Sequence, residues 1–166
     1  MKNTGKLKGE MTMERYYVAY GSNLNKNQMH IRCKDAREVG TAMLENYRLL
    51  FKGSKTGSYL TVEESRGSRV PVAVWSVSAE DEEQLDRYEG YPDFYYKKEL
   101  VLPVKCFETG QVEQLKTFIY IMHEERLVGA PSAIYMQTCH DGYDDFGFDH
   151  DILTAACLNC GGTDIR

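Results

Sequence analysis

No apolar run in this chain of 166 residues approaches the ~20 residues a membrane-crossing helix needs, and no basic-then-apolar leader opens it. Positive charge is also in short supply. Lys and Arg number 20 against 25 Asp and Glu, and the net charge of −5 argues against a nucleic-acid surface and bears mainly on solubility. The cysteines lack the pattern of a zinc site: Cys157-Leu158-Asn159-Cys160 is one half-site without a second, and Cys139-His140 and His150 do not supply matched spacing. The odd set of Cys33, Cys106, Cys139, Cys157 and Cys160 therefore reads as reduced thiols in a cytoplasmic protein, with no metal expected. Asp141, Asp144, Asp145, Asp149 and Asp151 lack the spacing of a calcium loop and read as a solvated acidic face. The stretch Gly53-Ser54-Lys55-Thr56-Gly57-Ser58 has neither the glycine before the lysine nor the upstream glycine of a phosphate loop, so a hairpin loop is expected there. Internal repeats and low-complexity segments are absent as well.

What is present is ordinary in amount, with hydrophobic residues at 42% and charged residues at 27%, enough for one domain over 15–166 with a real core. Residues 1–14 are polar, lysine-rich and without periodicity, and read as a disordered tail. The rest is organised around Tyr16-Tyr17-Val18-Ala19-Tyr20-Gly21-Ser22-Asn23-Leu24. Its aromatic and β-branched start reads as a buried strand, and Gly21-Ser22-Asn23 breaks it. Asn25 then caps a helix, with Gln28 at the reciprocal capping-box position. A strand, a glycine turn and a helix start aim several backbone N–H groups at one small volume, which suits an anion such as an α-carboxylate. An ordinary strand-to-helix turn is the plainer alternative.

Further along, Glu38–Lys52 reads as extended structure broken near Glu45-Asn46. Val70–Val77 is the most strand-like run, with Pro71 expected at its beginning or on an edge. Ser78 caps a helix over Ala79–Glu89 that should bury Leu85 and Tyr88 and stop at Gly90. Lys97–Phe107 and Val112–His123 are strands joined by a hairpin at Glu108–Gln111. Helices follow from Pro131-Ser132 to about Cys139, and over Ile152–Leu158. Helices interrupt the strands without alternating strictly, so the expected fold is α+β, a small mixed barrel with helices outside.

One acid stands out. Glu89 lies in the last turn of its helix, where unsatisfied carbonyls disfavour a carboxylate by roughly 0.3–1 kcal/mol. Tyr88, Tyr91 and Phe94 nearby would desolvate it and raise its pKa toward the range of a general base. The plainer alternative is a solvated glutamate paired with a neighbouring lysine such as Lys97.

Tyr20-Gly21-Ser22-Asn23-Leu24, Leu85-Asp86-Arg87-Tyr88-Glu89-Gly90-Tyr91 and Pro131-Ser132 followed by Tyr135 occur in an order that resembles the γ-glutamylcyclotransferase-like family, which includes the AIG2-like proteins. The resemblance runs from about Tyr16 to Leu158 and implies a mixed barrel flanked by helices. It also implies an enzyme that needs no cofactor and converts a γ-glutamyl amide to 5-oxoproline with release of the amine. Glu89 would be the general acid/base, and Tyr20, Gly21, Ser22, Asn23 and Leu24 would bind the substrate; Tyr120 and Tyr135 would line the pocket with them or, in the plainer alternative, be packed with their hydroxyls satisfied. The expected partner is a small γ-glutamyl molecule, with no nucleic acid and no membrane, and a homodimer is compatible with the reading. A protein of the same fold that binds a small ligand without turning it over is the alternative.

Overall fold

The computed structural model describes residues 14–53 and 57–160, and the fold follows from where apolar runs change period. The strands are β1 (Arg15–Ala19), β2 (Arg37–Lys52), β3 (Tyr59–Val77), β4 (Tyr95–Cys106) and β5 (Val112–Met122). They close into a barrel in the order β1-β3-β2-β4-β5. Neighbours are antiparallel except β1 and β5, which run parallel at Tyr16↔Thr117 and Tyr17↔Phe118, so the sheet is mixed as expected. Trp75, Phe51, Phe118, Leu44 and Ile119 fill the core.

The helices are α1 (Lys26–Arg32), α2 (Ala79–Glu89), α3 (Ala133–Phe146) and α4 (Asp151–Leu158), with a 3₁₀ turn at Ser22–Leu24 between β1 and α1. Asn25 caps α1 by accepting from the Gln28 N–H at 3.1 Å. The reciprocal half of that capping box is not made, because the Gln28 side chain accepts from Arg32 instead. At α2 both halves form between Ser78 and Asp81, and Gly90 ends the helix at φ 65°, a left-handed conformation costly for other residues. Ser132 caps α3, which runs well past the expected end at Cys139. Gly142 lets α3 lie against the 3₁₀ turn, since a Cβ there would stand 2.7 Å from the Asn25 nitrogen.

Three sequence-based expectations are adjusted. The break near Glu45-Asn46 is a bulge with Asn46 at φ 65°, and β2 continues through it. Strand β3 begins at Tyr59, so Pro71 falls within it; β1 pairs only as far as Ala73, leaving Pro71 with a neighbour on the β2 side alone. Tyr88 is 43% exposed, with its ring under the Arg32 guanidinium at the cavity rim, while Leu85 is fully buried. Apart from Glu14, the tail expected over 1–14 lies outside the described residues, as do 54–56 of the hairpin loop. Among the described residues no helix is long and apolar enough to cross a membrane, and no group of three or more His, Cys, Asp and Glu side chains is placed to hold a metal.

Candidate active site

A cavity of about 240 Å³ opens at the barrel end where β1 stops and β4 starts. Tyr17 and Tyr20 reach it from β1 and the residue after it, Gly21, Ser22 and Asn23 from the 3₁₀ turn, and Tyr59 and Leu60 from the start of β3. Tyr88 and Glu89 enter from the last turn of α2, Phe94 and Tyr95 from the start of β4, Tyr120 from β5 and Tyr135 from α3. The volume exceeds the ~150 Å³ that takes a benzene ring but falls short of the ~300 Å³ of a typical ligand pocket, so it suits one compact polar group.

Most of the residues singled out in the sequence meet here. Tyr20 is buried, and its hydroxyl donates to the Tyr120 carbonyl at 2.7 Å. The Ser22 and Tyr88 hydroxyls share a hydrogen bond of 3.0 Å across the cavity rim. Tyr120 donates to Asp86 at 2.5 Å, and the Tyr135 oxygen accepts from the Leu60 N–H at 3.1 Å. Gly21 passes close under Tyr135, whose hydroxyl would lie 3.3 Å from a Cβ at position 21. Leu24 is the exception. It is fully buried, is not among the residues that line the cavity, and packs the 3₁₀ turn against Gly142. Among the described residues, the Ser22 and Asn23 N–H groups at the start of that turn make no backbone hydrogen bond.

Glu89 has no ion-pair or hydrogen-bond partner among the described residues. Lys97, the lysine offered as an example in the plainer reading, pairs with Glu82 at 2.6 Å and Asp86 at 3.0 Å. Around the Glu89 carboxyl stand the phenols of Tyr17, Tyr20, Tyr88, Tyr95, Tyr120 and Tyr135; burial raises the pKa of each, and they are close enough that a Glu89 charge adds to the rise. Burial pushes Glu89 from 4.5 up to about 8, and Arg32 offsets part of that rise.

As site residues, the sequence reading missed Tyr17, Tyr59, Leu60, Phe94 and Tyr95 of the cavity wall, and it missed Arg32. Arg32 closes α1, where a basic residue is explained by the helix dipole alone. In the fold its guanidinium donates to Asn23 Oδ1 and, at 3.0 Å, to Gln28 Oε1, and its Cζ lies 3.5 Å from the centre of the Tyr88 ring. It is the cation that acts on Glu89.

A measurable consequence concerns stability. The folded protein holds the Glu89 proton up to about 8 while the unfolded chain releases it near 4.5, so the native state binds more protons between these values. Stability therefore falls as pH rises through that window and is level beyond it. Glu89→Gln removes the effect, and its melting temperature relative to wild type is expected to climb from about pH 4.5 to about 8. A difference that stays constant across the window would mean that the carboxyl ionises as if in water.

Comparison with known proteins follows the same residues. Residues 17–138 match the family model described as gamma-glutamyl cyclotransferase, AIG2-like. A gamma-glutamylcyclotransferase of Homo sapiens is 33% identical over 113 residues, covering 64% of this chain and 58% of the relative. One of Bos taurus is 34% identical over 87 residues, covering 48% of this chain and 46% of the relative. The chain thus spans about half the length of these curated relatives. Among solved structures, a gamma-glutamyl cyclotransferase superposes with a TM-score of 0.74 at 22% identity, over 92% of this chain and 90% of that one. A human protein described as uncharacterized does so with a TM-score of 0.74 at 24% identity, over 92% and 91%. At these identities the likeness is one of fold.

Proposed function

The chain belongs to the gamma-glutamyl cyclotransferase, AIG2-like family, and from that premise we propose that it cyclises a γ-glutamyl amide to 5-oxoproline and releases the amine, with Glu89 as general acid/base. The observation that carries the reading is the shared cavity: the Glu89 carboxyl opens onto the same small volume as Gly21, Ser22 and Asn23.

The chemistry needs a substrate folded on itself. A γ-glutamyl group brings its own nucleophile, the α-amino group, and intramolecular attack on the γ-carbonyl reaches effective molarities of ~10⁵ M or more when the chain is held in place. The N–H groups of the 3₁₀ turn grip the α-carboxylate, which fixes one end. Glu89, pushed up to about 8, is basic enough to take the ammonium proton and acidic enough to return it. The α-nitrogen then bonds to the γ-carbon, the tetrahedral intermediate collapses, and the amide C–N bond breaks as Glu89 protonates the departing nitrogen; the second proton that the α-nitrogen sheds on becoming the lactam N–H passes to the released amine, which leaves as an ammonium. Atoms balance without a co-reactant. The leaving amine faces the rim, where Tyr59 and Tyr88 are each 43% exposed and offer aromatic surface.

The test is incubation of the purified chain with a panel of γ-glutamyl dipeptides and γ-glutamyl amines, with detection of 5-oxoproline alongside a thermal-shift measurement. Product release is expected, with kcat/KM rising toward pH of about 8 as Glu89 ionises. Thermal stabilisation without product would make the protein a binder of such ligands and remove the enzymatic reading.

A further inference from the structure

Several tyrosine hydroxyls in the cavity wall have protons already committed elsewhere. Tyr20 donates to the Tyr120 carbonyl at 2.7 Å, Tyr95 to the Leu60 carbonyl at 2.8 Å, and Tyr120 to Asp86 at 2.5 Å. Asp86 is in turn paired with Lys97 at 3.0 Å. A phenol that gives its proton to the protein keeps only lone pairs for a ligand, so these residues present acceptors to the cavity.

Tyr17 has the opposite polarity, and the reason lies two residues away in a hydrogen-bonded chain. A guanidinium has N–H groups and no acceptor, so Asn23 must turn its amide oxygen toward Arg32. Arg32 is itself fixed by Gln28 Oε1 at 3.0 Å and by the Tyr88 ring beneath it. With its oxygen taken, Asn23 faces Tyr17 with Nδ2 and donates to the phenol oxygen at 2.9 Å. The Tyr17 oxygen therefore accepts, and its own proton, which finds no acceptor among the described residues, is left for whatever fills the cavity. The residue is 4% exposed and its ring is wedged against Phe118 and Tyr120, with centroids at 5.6 and 5.9 Å, so the hydroxyl is rigidly aimed. Burial holds the phenol well above its ordinary pKa, which keeps it a neutral donor.

We propose that Tyr17 is a further catalytic residue: its hydroxyl donates to the γ-carbonyl oxygen of the substrate as that oxygen gains negative charge, while Tyr20, Tyr95 and Tyr120 offer lone pairs to the α-amino group. The inference rests on the γ-glutamyl reading above. No proton changes hands at Tyr17; when the α-nitrogen bonds to the γ-carbon, the carbonyl π electrons move onto oxygen, and the phenol stabilises that charge until the intermediate collapses and the carbonyl reforms. Arg32 and Asn23 act through Tyr17 by setting which way its proton points.

Steady-state 5-oxoproline release by wild type, Tyr17→Phe, Asn23→Asp and the double variant tests this on the full chain. Tyr17→Phe keeps the ring and removes the donor, so kcat is expected to fall by ~10²-fold with KM changed by no more than about threefold, since the interaction is strongest in the transition state. An aspartate at position 23 cannot donate and would draw the Tyr17 proton to itself, so Asn23→Asp should lose a comparable factor in kcat whatever its effect on KM. The double variant should be no slower than the slower single one, because both changes remove one hydrogen bond. A Tyr17→Phe enzyme within about threefold of wild-type kcat, or losses that multiply in the double variant, would overturn the role of Tyr17. Wild type that releases no 5-oxoproline from any γ-glutamyl amide is a different failure, which takes down the underlying function as well.

Discussion

Glu89→Gln is expected to lower 5-oxoproline release by at least ~10²-fold while the protein folds as before. Glutamine matches the glutamate side chain in size and polarity, and no ion pair or hydrogen bond holds the native carboxyl among the described residues, so the change removes proton transfer and little else. The buried site gains from it, because a carboxyl pushed up to about 8 is a group the fold would hold more easily if it had no charge to shed. A variant that is slower and at the same time more stable above about pH 4.5 is the signature of a site where stability is traded for a base. The wild-type profile of kcat/KM should climb with pH toward about 8, and in the glutamine variant that limb should vanish from whatever activity remains. Near wild-type turnover in Glu89→Gln would remove this residue from the mechanism and leave the cavity without a general base.

The parts of this site that could be read from the sequence are those carried by local rules. Ser78 three residues before Asp81 and Gly90 after Glu89 bracket α2 so tightly that the acid in the last turn is placed before any fold is known. Gly21-Ser22-Asn23 announces a turn, though not that the turn is a 3₁₀ helix pressed onto α3 through Gly142. That contact is why Leu24, adjacent to residues that face the cavity, turns into the core. The first half of β3 escaped notice because its charged stretch, Glu63 to Arg69, carries little apolar signal; its pairing with β2 from Tyr59 to Glu64 defines it as a strand. Arg32 and Tyr17 illustrate a different limit. Each has a sufficient local explanation, one as a helix-end cation and the other as a strand aromatic. Their contacts with Asn23 span nine and six positions, and only the tertiary arrangement adds Tyr88 and Glu89 to the set.

Gly40→Ala is expected to destabilise the barrel by ~1–3 kcal/mol, a drop of ~2–4 °C in melting temperature for each kcal/mol. Closure of the sheet rests on a narrow seam: among the described residues β2 and β4 pair at Gly40↔Cys106 and Thr41↔Lys105, with the Phe107 N–H donating to the Val39 carbonyl at 2.9 Å beside them. Beyond those pairs the two strands splay around a groove lined by Met43, Leu44, Leu100 and Leu102. At the seam the backbones are so close that a Cβ on residue 40 would stand 2.1 Å from the Lys105 carbonyl oxygen and 2.9 Å from Val104 Cγ1. A flexible side chain could swing away from such a contact, but the nearest atom here belongs to the backbone of β4, so the strands themselves must part. Parting them weakens the pairs that close the barrel and leaves two sheet edges with unpaired groups. Cys106 lies at the opposite end of β4 from Tyr95, which lines the cavity, so turnover per folded molecule at low temperature should remain close to wild type while the midpoint of thermal unfolding falls. An alanine variant that melts with the wild type would show that the barrel does not depend on this approach, and that the sheet holds its curvature without the β2–β4 seam.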